Sequence, residues 1–513
     1  MEKTESSKLD NNSELARENI VVWLDFGAYA YINLGIVYAL SKLDKFNFIG
    51  LVATREHISF LQNQRLVSFK ELLYYPECYI NKSSSNLDNL VNLEKKYDLN
   101  LWLNVFSERY FYKHLSDFHK FTKNEIFTII ENSILFFVDI LERSKPKLVL
   151  TQPIGENISN LLLYQLAKKM GIQILMPNFL HMKNRILMSN NLVGMEISDQ
   201  FKKIMENFNN SLQTYDGEFI KKQDNTEIVN IISNYNYNAI TFSQKINHYI
   251  KRLSHDPEPL YHNLGKTKSK MLKHRFQNYF EIRKRKRFFE HNSIKTIEDT
   301  KFLYFPLQTE PEATVLTYQP FYSNQIALVE NIARSIPIGL TLYVKEHPIQ
   351  ITKGLRPIED YKKIISMPNV KLVHTSVASQ NLISNSQGVL AISASTGFEA
   401  LFYKKPIIIF GDEHYEDLSM VTKIKTLTEL PDKINHALNN FKFNNKELNA
   451  LMRAYDEQSI TVPYSSMLKD GLVLSSMQRH TNDFNLTIQH FNKFYETYKN
   501  YFELIAQNIY SKI

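Results

Sequence analysis

The sequence predicts an α/β protein of two Rossmann-like domains with a cleft between them, a helical insert and C-terminal helices. Three observations predict it. The chain has 513 residues, more than one core usually serves, since domains run at about 100–200 residues. Short apolar runs alternate with helix-period segments on both sides of a polar stretch, the pattern of strands joined by crossover helices. The composition, 43% apolar and 22% charged with only 14 Gly and 16 Pro, is that of a folded chain without a low-complexity linker.

The elements follow in order. Residues 1–19 form a polar tail with no apolar stretch of the secretory kind. Residues 20–25 are an apolar run bounded by Gly27, followed by a helix over 32–43, a strand over 46–53 and a helix over 56–64. Residues 82–145 are largely helical and stop at Pro146. A buried strand over 147–152, a crossover helix over 157–170 and a strand over 171–176 complete a first domain placed at 20–240. Residues 196–298 are polar and Asn-rich, and 241–298 read as a basic helical linker. The second domain, 299–445, takes strands at 301–305, 340–344, 370–374, 389–393 and 406–410. Its helices lie over 322–335 and 361–366 and from Gly397. Helices fill 446–513.

Charge and cysteine usage narrow the class. The formal net charge is +8, yet Lys266 to Arg287 holds ten basic residues against the single acid Glu281, so that segment carries +9 and the rest of the chain −1. A nearly neutral globule thus bears one basic strip. The only cysteine is Cys78, which excludes an internal disulfide and a cysteine-based metal site and fits a reducing compartment. The longest uncharged run near the start, residues 26–41, is short of the ~20 apolar residues that span a bilayer. A cytoplasmic chain, peripheral at most on the inner face of the plasma membrane, is expected.

Ligands of open parallel sheets sit beyond the carboxyl ends of the strands. In the second domain Lys345, His347 and Pro348 follow a strand, where a cation and a donor suit a departing phosphate; the bland alternative is a solvated loop. Ser393, Ser395, Thr396, Gly397 and Glu399 join a strand to a helix, where hydroxyls and free N–H groups suit an anion. Thr396 and Glu399 also have capping-box spacing, which needs no ligand. Gln308 and Glu310 lie in a proline-bounded loop suited to positioning. In the first domain Glu156, in the turn 152–157, and Asp25 are candidate bases or nucleophiles, with His181 behind them. No P-loop, dinucleotide fingerprint or Asp-x-Asp occurs, so no metal or other cofactor is expected.

These motifs resemble, as an ordered set, the bacterial capsule polysaccharide biosynthesis family, which includes Kdo-transferase-type capsule and lipopolysaccharide glycosyltransferases. The set runs from Phe302 through Pro306, Glu310 and Ala313, then Tyr322 to Gln325, Leu342 to Pro348, Ser393 to Leu401, Lys405-Pro406 and Phe410-Gly411. The resemblance implies a GT-B arrangement with the nucleotide-sugar donor on the second domain. It implies that His347-Pro348, with Lys345 beside it, contacts the donor phosphate, that Ser395 to Glu399 belongs to the same site, and that the terminal helices pack back across the domains. Residues 1–120 and 196–298 carry no matching motif.

The expected partners are therefore a nucleotide-sugar donor, a glycan or lipid-linked acceptor and an anionic membrane surface, with no nucleic acid. A teichoic-acid-type polyol-phosphate transferase with a CDP-activated donor is the second enzymatic reading, and a nucleic-acid- or membrane-binding protein using the strip is the non-enzymatic one. Leu272, Phe276, Tyr279 and Phe280 recur at helical spacing within the strip. Arg283, Lys284, Arg285, Lys286 and Arg287 then form either an anionic-membrane dock or the solvated side of an interdomain helix whose aromatics pack on the core.

Overall fold

The computed structural model describes residues 17–25, 27–80, 85–112, 115–155, 157–180, 182, 184–207, 260–481 and 484–513. The first half supplies strands β1 (Glu18–Trp23), β2 (Phe46–Val52), β3 (Phe69–Tyr74), β4 (Leu148–Leu150), β5 (Gln173–Phe179) and β6 (Arg185–Ser189). Between them run helices α1 (Ala28–Ser41), α2 (Arg55–Asn63), α3 (Leu87–Tyr97), α4 (Leu101–Ser107), α5 (Lys123–Ser144) and α6 (Ile158–Lys169), with α7 (Glu196–Glu206) after them. After a long helix, α8 (Lys268–Asn292), the second half begins with β7 (Phe302–Pro306), α9 (Gln325–Ala333), β8 (Thr341–Lys345), α10 (Pro348–Thr352), α11 (Ile358–Ile365) and β9 (Val370–Val373). It continues through α12 (Ser379–Asn385), β10 (Gly388–Ala391), α13 (Ser395–Phe402), β11 (Ile407–Ile409), β12 (Val421–Lys423) and α14 (Leu430–Asn439). The chain closes with α15 (Asn445–Gln458), β13 (Ile460–Thr461), α16 (Tyr464–Thr481) and α17 (Phe484–Lys512).

Two sheets result. The first runs β3-β2-β1-β4-β5 with all strands parallel, and β6 and β13 extend it antiparallel beyond β5. The second runs β9-β8-β7-β10-β11-β12, parallel throughout. Counted within each half, both follow the Rossmann order 3-2-1-4-5, which reverses between the first and fourth strands and opens a crevice there. The reversals lie between β1 and β4 and between β7 and β10. Helices on both faces explain why the central strands are apolar on both sides: all of β7 is buried, and Phe302 stacks on Tyr343 of β8 at 4.1 Å.

The unforeseen strands are β3, β6, β12 and β13. Two are only two or three residues long and β3 is half-buried and carries Lys70 and Glu71, too little for a periodic signal. β13 lies after the second sheet in sequence yet pairs with β6, Ile460 opposite Ile186. From there α16 and α17 run back over α1. A Cβ on Gly35 would lie 2.5 Å from the Phe502 ring, so glycine is what lets α1 and α17 approach. In the other direction Leu187, Ile197 and Phe201 share a core with Phe398 and Tyr455 of the second half.

The basic strip folds as α8, but with the faces reversed from the interdomain-helix expectation. Phe289 is buried, His274 Nε2 lies 3.2 Å from Asp117 Oδ2, and Arg285 donates to the Leu355 carbonyl at 3.4 Å. The aromatic stripe does not pack on the core: Leu272, Phe276, Tyr279 and Phe280 are 49%, 68%, 53% and 53% exposed. Helical spacing located the stripe; it could not say which side the protein would cover.

Candidate active site

At the carboxyl end of β8, one strand from the reversal point of the second sheet, stands Lys345. Its Nζ donates to Ser379 Oγ at 2.8 Å, and Ser379, the first residue of α12, also receives the Tyr304 hydroxyl of β7 at 3.4 Å. Burial draws the Lys345 ammonium down to about 8, against the opposing pull of Glu399, so it remains mostly a cation at neutral pH. Burial likewise raises the Glu399 carboxyl, although its bond with Ser395 and the charge of Lys345 work against the rise. Lys345, Ser379, Tyr304, Ser395 and Glu399 therefore form one cluster across β7, β8, α12 and α13.

His347 stands beside it as a neutral group. Burial, with the charges of Lys345, Lys353 and Arg356, lowers its pKa to about 4. Its Nδ1 accepts the Ile349 N–H at 3.2 Å at the start of α10, which puts the ring proton on Nε2 and makes that atom a donor. The sequence suggested a pair of phosphate-facing groups; the structure makes Lys345 the cation and His347 an uncharged donor. Pro348 follows as the first residue of α10.

Beneath this turn lies a buried ionic network that the sequence did not signal. Glu346, fully buried, accepts from Arg356 Nε at 2.8 Å, Tyr361 Oη at 2.7 Å and the His347 N–H at 2.7 Å. Arg356, 2% exposed, also reaches Glu310 Oε1 at 2.9 Å and donates to the Gln308 carbonyl. The Glu310 N–H donates to Gln350 Oε1 at 3.0 Å, and the Gln308 N–H to Gln325 Oε1 at 2.6 Å. Gln308 and Glu310 thus act as the positioning loop, locking residues 345–348 to β7. Arg356 escaped notice because it lies ten residues past Glu346 in a segment with no motif.

The 393–399 turn differs from its capping-box reading. α13 begins at Ser395 with Ala394 as its cap and no side-chain cap bond, so Thr396 does not cap it and Glu399 turns toward Ser395 and Lys345 instead. Ser393 donates to Glu413 Oε1 at 2.7 Å, a buried carboxyl pushed up to about 8 by burial. A Cβ on Gly397 would meet the Tyr415 hydroxyl, so only glycine lets α13 close over that ring.

In the first sheet, Asp25 follows β1, and its charge raises the phenols of Tyr75 and Tyr79 beyond what burial does. Asn157 caps α6 through the Ser159 N–H at 2.9 Å. Glu156 and His181 lie outside the described residues. Glu108, which the sequence reading passed over, sits below this turn: its Oε2 accepts the Ile158 N–H at 2.8 Å and the Tyr261 hydroxyl at 2.9 Å, and burial pushes it up to about 7. The two crevices meet where Tyr318 Oη donates to the Ile154 carbonyl at 2.9 Å and Thr317 Oγ1 to the Gly155 carbonyl at 3.2 Å.

Comparison with known proteins gives three findings. Protein FixF of Sinorhizobium fredii is 29% identical over 127 residues, 24% of this chain. The chain thus spans only 29% of the length of that curated relative. Among solved structures, Thermosulfurimonas dismutans KpsC, a beta Kdo 2,7 transferase, aligns at 12% identity and TM-score 0.30 over 70% of this chain and 85% of its own. Methanocaldococcus jannaschii UDP-GlcNAc 2-epimerase aligns at 15% identity and TM-score 0.26 over 86% of this chain and 99% of its own. The family model described as capsule polysaccharide biosynthesis protein matches residues 200–440. That span, just under half of the chain, takes in every second-half motif, from the loop after β7 to the turn at Gly411, so the second half resembles the capsule polysaccharide biosynthesis family.

Proposed function

We propose that the chain is a glycosyltransferase that moves a sugar from a nucleotide-activated donor onto a capsule polysaccharide or its lipid-linked primer. The observation that carries this reading is the buried Lys345 ammonium beside the neutral His347 donor at the carboxyl end of β8. In the reaction the acceptor hydroxyl attacks the anomeric carbon as its bond to the donor phosphate breaks. Lys345 takes up the charge growing on that phosphate, and His347 Nε2–H donates to it. Preorganised donors of this kind are worth about 10²–10³ in turnover.

Glu399 orients Lys345 and lies within reach of a ribose hydroxyl. Ser395 and Thr396, at the start of α13, suit the carboxylate of an acidic sugar, and a CMP-activated sugar such as Kdo is the donor proposed. On the other sheet Asp25 or Glu156 receives the acceptor's proton. The chemistry proposed is metal-independent, protein groups carrying the phosphate charge, so a chelator leaves the rate unchanged.

The test is the melting temperature with CMP-, UDP-, GDP- and CDP-activated donors, since a ligand that binds only the folded chain raises it. A shift with a CMP-sugar, lost in Lys345→Met, supports the assignment. Turnover of CDP-glycerol without sugar transfer replaces it with a polyol-phosphate transferase.

A further inference from the structure

The outward face of α8 is built for a phosphate-bearing surface, and its two ends do different jobs. Leu272, Phe276, Tyr279 and Phe280 recur every three or four residues, so they share one side of the helix, and all four are exposed. Arg283, Lys286 and Arg287 continue the same side by the same spacing. The polar residues that would ordinarily face water are turned inward: His274 toward Asp117 and Arg285 toward the Leu355 carbonyl. Among the described residues no ring contact joins Phe276, Tyr279 or Phe280 to any aromatic outside α8.

The basic end borders an open recess. The recess, of about 540 Å³, is lined by Arg283, Lys286, Arg287, Glu290 and His291. Among the described lining residues the one carboxylate, Glu290, is taken up by Lys295 at 2.8 Å and His374 at 3.2 Å, which leaves guanidinium and ammonium groups to dominate this side of the recess. Arg283 also lies over the Tyr279 ring at 5.0 Å, tying the cationic end to the aromatic end.

We propose that this face docks the protein on an anionic phospholipid bilayer, headgroup phosphates entering the recess and the aromatic end lying at the boundary of headgroups and acyl chains. Aromatic side chains settle at that depth, and basic residues gain from the negative surface potential. Charge complementarity selects an anionic partner, and ring geometry selects lipid over nucleic acid. Phe276 and Phe280 meet at 70°, Tyr279 and Phe280 at 85°, a wedge of edges rather than parallel platforms for stacked bases. No described helix is long and apolar enough to cross a membrane, so a surface dock is the mode this helix can supply. The helix touches the first domain at Asp117 and the second at Leu355. The inference goes beyond the proposed transfer reaction and is read without any donor.

The experiment is cosedimentation of the full chain with vesicles of phosphatidylcholine alone and of phosphatidylcholine with phosphatidylglycerol. Binding is expected only to the anionic vesicles and falls with salt. Reversing Arg283, Lys286 and Arg287 to Glu weakens it at least about a hundredfold, at roughly a factor of five for each of the three cations lost. Phe276→Ser with Phe280→Ser, which leaves every charge in place, weakens it about tenfold, as removal of buried apolar area requires. Reversing the exposed Lys70, Lys301 and Lys442 leaves it unchanged. The proposal fails if anionic vesicles are not bound, if the Phe276 and Phe280 variant binds as wild type, if the control reversal matches the α8 reversal, or if a single-stranded oligonucleotide displaces the vesicles.

Discussion

The two sheets share one strand order and carry different chemistry at the carboxyl ends of their strands. In the second, the strand ends present a buried cation and an uncharged imidazole, held from below by the Glu346–Arg356–Glu310 network. In the first, the corresponding ends present Asp25, the phenols of Tyr75 and Tyr79 and the proton-holding Glu108. One crevice is organised to meet fixed negative charge, the other to take or hold a proton. That contrast fits a donor phosphate on one side and an acceptor hydroxyl on the other, and each prediction below attacks one half of it.

The largest effect is expected beneath the donor turn. Arg356→Leu leaves the fully buried Glu346 without its cationic partner, and breaking a buried pair in this way costs about 3–5 kcal/mol. Thermal melting reads the loss. A melting temperature close to wild type would mean that the network is not what holds residues 345–348, and the contrast between the two sheets would lose its structural half.

Next is the cation itself. Lys345→Met keeps the length of the side chain and removes its charge, so turnover drops about 10²–10³-fold while the fold persists. Because burial draws the ammonium down to about 8, the wild-type rate also falls as pH rises through that value. Neither change is expected from Glu108→Gln, whose site bonds the Ile158 N–H and the Tyr261 hydroxyl rather than a ligand. Equal loss of turnover in the two variants would erase the division of labour.

A smaller effect tests the fit of α13. Gly397→Ala drives a methyl group into the Tyr415 hydroxyl, and Tyr415 is buried to 1% exposure. Overpacking of this kind costs about 1–3 kcal/mol, read as a lower denaturant midpoint. Because α13 carries Ser395 and Glu399, weaker donor binding should accompany the lower midpoint.

What was legible in the sequence follows from what apolar periodicity can carry. β1, β2, β4, β7, β8 and β10 announced themselves as continuous buried runs, and the carboxyl-end rule then reached Lys345, His347 and Glu399 without a structure. Ser379 gives no signal of its own, since it opens α12 six residues past the end of β9. Glu346 with Arg356 and Glu108 with Tyr261 were beyond reach, since these pairs are made by packing between segments 10 and 153 residues apart. The faces of α8 were illegible for a different reason. Its exposed aromatics share one side with Arg283, Lys286 and Arg287, so the helix has no apolar face opposite a polar one, and spacing alone could not tell covered from open.

The smallest effect separates the sheets by their response to pH. Glu413, bonded to Ser393 beside the donor turn, is raised to about 8 by burial, whereas the same group unfolded titrates near 4.5. Between those values the folded chain holds a proton that the unfolded chain has released, so this group's contribution to stability declines as pH rises through the window. The buried His57 acts oppositely: burial lowers it to about 4, so its contribution is lost as pH falls below the ordinary histidine value. Above pH 6.5 the histidine adds only the last part of its gain, and the decline belongs to Glu413 with a smaller share from Glu108 near 7. Integrated to pH 8, Glu413 accounts for about 1–2 kcal/mol. In Glu413→Gln the midpoint should therefore stay nearly level over that range while the wild type falls. A wild type that is itself level there would mean that Glu413 is ionised in the folded chain, and that the floor of the donor turn carries a negative charge the transfer chemistry would have to overcome.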